Sequence, residues 1–197
     1  MVNQEDPRVL RTRQLIRVAF RVLLRSKRFD AITIKDIAQE ATINRATFYA
    51  HFEDKYALLD EVTEQAFHEM IPEKVANAQE FTDEICDQLI LLTHQYIVDF
   101  YRICRMDSNS MATLVDEKIK KMLQQTIECI FLKGDTHHRT ERYHIKIMAA
   151  MTGSAIYGAA HYWLYVEEKD RTDMLVDIVR PYVMNGLGLY RNGDEYR

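Results

Sequence analysis

No glycine precedes position 134, and only two prolines, Pro7 and Pro72, interrupt that stretch. A chain so poor in turn-forming residues has few sharp reversals available, so long helices with brief connections are expected. The same scarcity excludes a glycine-rich phosphate loop or dinucleotide fingerprint in the first two-thirds of the chain. No nucleophile motif or paired-carboxylate signature replaces it, so an enzyme is not expected and no cofactor is implied.

Apolar periodicity places the helices. Ile16, Ala19, Phe20, Leu23 and Leu24 lie on one face of a helix over about 12–26, beside an arginine stripe at Arg13, Arg17, Arg21 and Arg25. That stripe reads as a solvated face that adds long-range positive potential. Thr33 with Asp36 has capping-box spacing and opens a short helix over about 34–41, with Ile34, Ile37, Ala38 and Ala41 on its apolar side. Thr42 and Ile43 make the turn, and Asn44 caps a second short helix to Tyr49 or Ala50. Glu53 and Asp54 start a further helix that ends near Pro72. Four longer amphipathic helices follow at about 82–105, 110–132, 140–167 and 172–191, the last expected to kink at Pro181. Strand signals are weak throughout.

Two short helices on a tight turn, with Ile43 and Phe48 directed inward, meet the requirements of a helix-turn-helix. Its second helix has the chemistry of a major-groove reader. Arg45 can donate two hydrogen bonds to guanine O6 and N7, while Ala46 and Ala50 permit close approach and contact with a thymine methyl. Thr47, Tyr49 and His51 offer donors suited to phosphate oxygens, and Lys55 stands at the start of the following helix. Charge agrees with this placement. Residues 1–55 hold 11 Lys+Arg against 7 Asp+Glu, whereas the rest holds 15 against 23, a basic head on an acidic body.

Residues 12–62 resemble the DNA-binding domain of the tetracycline-repressor (TetR) family. The resemblance is carried by Ile16, Ala19 and Leu23, by Phe29, Ala31, Thr33 and Ile34, by Asp36, Ile37, Ala38 and Ala41, and above all by Thr47-Phe48-Tyr49-Ala50-His51-Phe52 followed by Lys55, Leu58 and Leu59. It implies that Thr33, Asn44, Thr47, Tyr49, His51 and Lys55 touch phosphates while Arg45, Ala46 and Ala50 face bases. Two positions depart from the family pattern: Arg28 and Thr42 stand where glycine is usual. Positive φ at a non-glycine residue costs roughly 1 kcal/mol, so either these turns avoid that region or strain is accepted.

The resulting expectation is an all-α protein, with a three-helix reading domain over 8–54 and a ligand-sensing, dimerising helical bundle over 55–197. For the dimer interface the expected residues are Ala149, Gly153, Ala159 and Ala160, which allow close helix approach, and Met174, Leu175, Ile178, Val179 and Val183 on the last helix. Tyr96, Phe100, Cys104, Met122, Ile147, Met151 and Trp163 are expected to line a pocket for a small hydrophobic effector. Cys86, Cys104 and Cys129 read as small buried hydrophobes in a reducing compartment. His137, His138 and His144 have no metal-ligand spacing and the His137-His138 pair lies in a polar loop, so no metal is expected. The N-terminus lacks an apolar run of the secretory kind. Residues 147–166 carry no Asp, Glu, Lys or Arg, but their threonine, serine, glycines and tyrosines fit a buried interface helix better than a membrane span.

The resemblance implies a cytoplasmic regulator that grips double-stranded DNA, at a partly palindromic operator, as a homodimer. It is expected to act as a repressor released when an effector alters the spacing of its reading heads. The alternative is a coregulator whose C-terminal helices bind a protein partner.

Overall fold

The computed structural model describes residues 6–104, 109–135, 141–166 and 171–191. Those residues are helical apart from turns and connections: α1 (Pro7–Ser26), a 3-10 turn (Phe29–Ala31), α2 (Ile34–Glu40), α3 (Arg45–Tyr49), α4 (Lys55–Met70), α5 (Glu73–Ala76), α6 (Asp83–Cys104), α7 (Asn109–Gly134), α8 (Arg142–Trp163) and α9 (Thr172–Arg191). The all-α expectation holds.

Helix α1 starts earlier than its apolar pattern. Asp6 accepts a hydrogen bond from the Arg8 N–H at 2.8 Å, and Pro7 occupies the first helical position, where its missing donor costs nothing. Helix α4 starts as its acidic pair predicts, with Asp54 Oδ1 accepting from the amides of Tyr56 and Ala57. The four-residue α5, which follows Pro72, has no counterpart in the sequence reading.

Contacts divide the chain into two compact units, Met1–Ala66 with Phe100–Val115, and Phe67–Asp99 with Asp116–Arg197. The first holds a core of Ile16, Phe20, Leu23, Phe29, Ile37 and Phe48, all buried, with Phe20 and Phe29 edge to face at 6.2 Å. The expected boundary at 54–55 falls at the head of α4, a helix that the contact division cuts at Ala66.

In the second unit, Phe67 meets Tyr96 at 5.3 Å and Phe81 meets Phe131 at 5.2 Å. Arg180 on α9 donates to Asp87 on α6 at 2.8 Å. A β-carbon built on Gly153 would lie 3.4 Å from the Gln124 backbone, so this glycine permits close contact of α8 with α7. Cys86 is buried, and burial, with Asp87 and Asp83 nearby, pushes its thiol up to about 12. Cys129 is exposed, contrary to its expected burial, because it falls on the outer face of α7. The described side chains do not include Cys104, and His137 and His138 also lie outside the described residues. Among the described residues no helix is long and apolar enough to cross a membrane.

Candidate nucleic-acid interface

The site rests on two helix caps. At the head of α2, Thr33 Oγ1 accepts from the Asp36 amide at 3.1 Å, and Asp36 accepts in return from the Thr33 amide at 2.9 Å and the Thr33 hydroxyl at 2.7 Å. These bonds, joined by Lys27, hold the Asp36 carboxyl down at about 2. The capping box is as expected, with a consequence for function. Both donors of Thr33 are already engaged, which leaves none for a phosphate in this conformation.

The turn after α2 closes with two hydrogen bonds, Thr42 N–H to Gln39 O at 3.1 Å and Ile43 N–H to Ala38 O at 2.9 Å. This is the Schellman arrangement, whose penultimate position requires left-handed backbone. Thr42 fills it with φ of 55°. Of the two departures from glycine, Thr42 therefore accepts strain, whereas Arg28 avoids it at φ −66°.

Asn44 then caps α3, its Oδ1 accepting from the Ala46 amide at 2.9 Å and its amide group remaining able to donate. Phe48 is 0% exposed and packs 5.8 Å from Phe52, which fixes the inner side of α3. The outer side follows from helical geometry. Arg45, Ala46, Tyr49 and Ala50 are exposed, with Tyr49 at 51%, and Thr47 and His51 flank them half-buried. Arg45 makes no ion pair among the described residues. His51 is held below its ordinary 6.5, first by burial and then by the Arg13 charge, so its ring favours the neutral form.

Lys55 stands at the head of α4 as the sequence suggests, but its ammonium is engaged within the domain. Its Nζ donates to the carbonyls of Phe29 (3.1 Å), Asp30 (3.2 Å) and Ile32 (2.9 Å), and lies 4.6 Å from the Phe29 ring centroid. An ammonium has three hydrogens, so this cation ties α4 to the 3-10 turn and has no donor left for a phosphate. Sequence reasoning also missed Arg13. Its Nη1 donates to His51 O at 3.1 Å, its Nη2 pairs with Glu61, and its guanidinium lies 4.5 Å over Phe52. Arg17 shares the same carboxylate at 3.1 Å. Arg13 and Arg17 of the expected solvated stripe thus form an internal brace to α4; the signal was their four-residue spacing beside the apolar face of α1.

The comparisons bear on this geometry. Residues 15–62 match the model of the bacterial regulatory proteins of the tetR family. The match covers the N-terminal reading domain, about a quarter of the chain. An uncharacterized HTH-type transcriptional regulator of Bacillus subtilis (strain 168), YxbF, is 41% identical over 70 residues, 35% of this chain and 18% of that protein. The dhaKLM operon transcriptional activator DhaS of Lactococcus lactis subsp. lactis (strain IL1403) is 38% identical over 60 residues, 30% of this chain and 32% of DhaS. The matched segments thus span under a third of these curated relatives' own length. Two solved structures share the fold over most of the chain: a TetR transcriptional regulator from Streptococcus agalactiae 2603V at 20% identity and TM-score 0.58, over 91% of this chain and 97% of that one, and the dihydroxyacetone kinase operon activator DhaS at 19% and 0.54, over 90% and 94%.

The remaining expected residues separate. Tyr96, Met122 and Trp163 are buried in the second unit, and Phe100 is buried in the first. Ile147 and Met151 instead line an open groove of about 490 Å³ between α8 and α9, with His144, Tyr182, Asn185 and Gly186. The expected interface residues split as well. Ala149, Gly153, Ala160, Leu175, Val179 and Val183 face inward; Ala159 and Met174 are half-buried, and only Ile178 is exposed. Small residues mark close approach, and here the approach is within the chain. The outward apolar stripe of α8 is Ile147, Met151, Gly158 and Tyr162, continued by the exposed Tyr165 in the turn after it, and that of α9 is Ile178, Tyr182 and Gly186.

Proposed function

We propose that this TetR-family chain binds duplex DNA sequence-specifically, as a two-fold homodimer, and so regulates transcription. The observation that carries the reading is α3: a wholly buried Phe48 behind, and an unpaired Arg45 with two small residues in front. Arg45 is assigned to a guanine edge, Ala46 and Ala50 to bases, and Thr47, Tyr49, His51 and the Asn44 amide group to phosphates. Thr33 and Lys55 are assigned to holding the domain together.

A neutral face supports pairing with a second copy. The body is acidic, so like-charged surfaces would repel, but residues 147–166 contain no Asp, Glu, Lys or Arg. In a two-fold interface each patch meets itself, and an uncharged, tyrosine-rich patch can do so without repulsion. Repression relieved by a small hydrophobic effector remains the preferred mode, and it rests on the family resemblance. A second reading is a coregulator whose C-terminal helices bind a protein partner; the relative DhaS, an operon transcriptional activator, favours activation as its outcome and says nothing of the partner. Sedimentation of the purified chain distinguishes them: a bare dimer fits the first, a dimer carrying a second polypeptide the other.

The test of DNA reading is enrichment from a random duplex pool. The expected product is a partly palindromic sequence with half-sites about one helical turn, or about 34–36 Å, apart. No enrichment, or an enriched site without symmetry, overturns the proposal.

A further inference from the structure

We propose that Arg13, a residue of α1 outside the reading surface, sets the angle at which α3 presents Arg45, and is therefore a positioning residue for sequence discrimination. The inference rests on the DNA-binding reading above.

Helix α3 has five residues. A helix that short cannot define its own direction, since isolated helices become marginal below roughly 12–15 residues. External contacts must fix each end. The N-terminal end is fixed by the Asn44 cap and the Ile43 N–H bond to Ala38. At the C-terminal end the chain leaves through His51 and Phe52, whose amides return to Phe48 O at 2.9 Å each. Arg13 takes hold there, bonding the His51 carbonyl and covering the Phe52 ring. Glu61 on α4 fixes Arg13 in turn, and Arg17 steadies Glu61 from the next turn of α1.

One planar guanidinium on α1 thus joins the carbonyl and aromatic face of residues 51 and 52 to a carboxylate of α4. A lysine ammonium, a point charge on a flexible stem, lacks the planar fork that stacks on the Phe52 ring while its two ends reach the His51 carbonyl and Glu61, so it holds this geometry less firmly. Half-exposed ion pairs contribute little stability, so the effect is expected in the pose of α3 more than in melting. Rotation of α3 would misplace the Arg45 fork on a base edge, yet leave attraction to the phosphates nearly intact.

The experiment uses the full chain, the duplex enriched by the wild type, and a scrambled duplex of equal length and composition. Arg13→Lys is expected to weaken binding to the enriched duplex about tenfold while the scrambled duplex changes less than about twofold, well below the melting temperature. In an Arg45→Ala background the same substitution should lose most of its effect on the enriched duplex, because the side chain that hydrogen-bonds a base edge is gone. Glu61→Gln releases Arg13 without removing its charge, so it should lower selectivity in the same direction and keeps the test available if Arg13→Lys does not fold. Equal weakening on both duplexes would make Arg13 a phosphate contact and overturn the proposal. So would an undiminished effect in the Arg45→Ala background, or unchanged selectivity in both single variants. If the wild type enriches no duplex, the underlying reading fails as well; failure of the variants beside a discriminating wild type removes this inference alone.

Discussion

Individual side chains in the first unit divide into those that face outward and those consumed by the fold, and the division sets distinct expectations. Arg45→Ala should cost about 1–3 kcal/mol at a single base position, measured by binding to duplexes varied one position at a time. Lys55→Met keeps the aliphatic stem but removes an ammonium shared by three carbonyls. It should lower stability by about 1–2 kcal/mol in denaturant titration and leave the salt slope of DNA binding as it was. A slope flatter by about one unit would return Lys55 to the phosphates. Thr42→Gly relieves a β-branched side chain at φ 55° and should raise stability by about 1 kcal/mol, read from the denaturation midpoint. These roles were only partly visible in sequence. Residue type identified Arg45, Thr33 and Lys55 alike as donors, and nothing in composition reveals that a carbonyl or carboxylate of the same chain has already taken the hydrogen.

At the scale of helices, chemistry that is local in sequence was readable and chemistry that is not local was not. Thr33 to Asp36 and Asn44 to Ala46 are three and two residues apart, so the two short helices were placed almost to their ends. The start of α1 was missed because Asp6-Pro7 lies beyond the apolar pattern used to find the helix. Helix α8 is apolar nearly all round, so periodicity could not say which alanines and glycines face its own neighbours. Helix α6 carries a feature that solution conditions can probe. His94 is buried, its Nε2 has no hydrogen-bond partner among the described residues, and burial holds its pKa below the ordinary 6.5. The unfolded chain then binds the proton more readily than the folded one, so stability is full above about 6.5 and declines as pH falls through the lowered folded value. His51 acts in the same sense. The melting temperature should therefore drop between neutral pH and mild acid, and His94→Leu should flatten that drop; an unaltered profile would show that the proton goes elsewhere. Asp36 contributes in a separate, more acidic window, present above about 3.8 and lost as pH falls through about 2.

For the molecule as a whole, the outward stripes of α8 and α9 bring Met151, 68% exposed, and Tyr182, 75% exposed, to one groove. Met151→Glu would set a charge against its own copy in a two-fold pair, so it should shift the chain toward monomer in sedimentation and weaken binding to a two-half-site duplex far more than to a single half-site. A dimer that withstands this change would place the contact elsewhere. The absence of charge over 147–166 reaches further, into how the protein answers ionic strength. Added salt displaces a protein from phosphates by competing for them, yet it does not loosen apolar joints and slightly tightens some. If the proposed pairing and DNA binding hold, brine that strips the chain from a duplex should therefore release it still coupled, ready to land again with both hands when the medium is diluted.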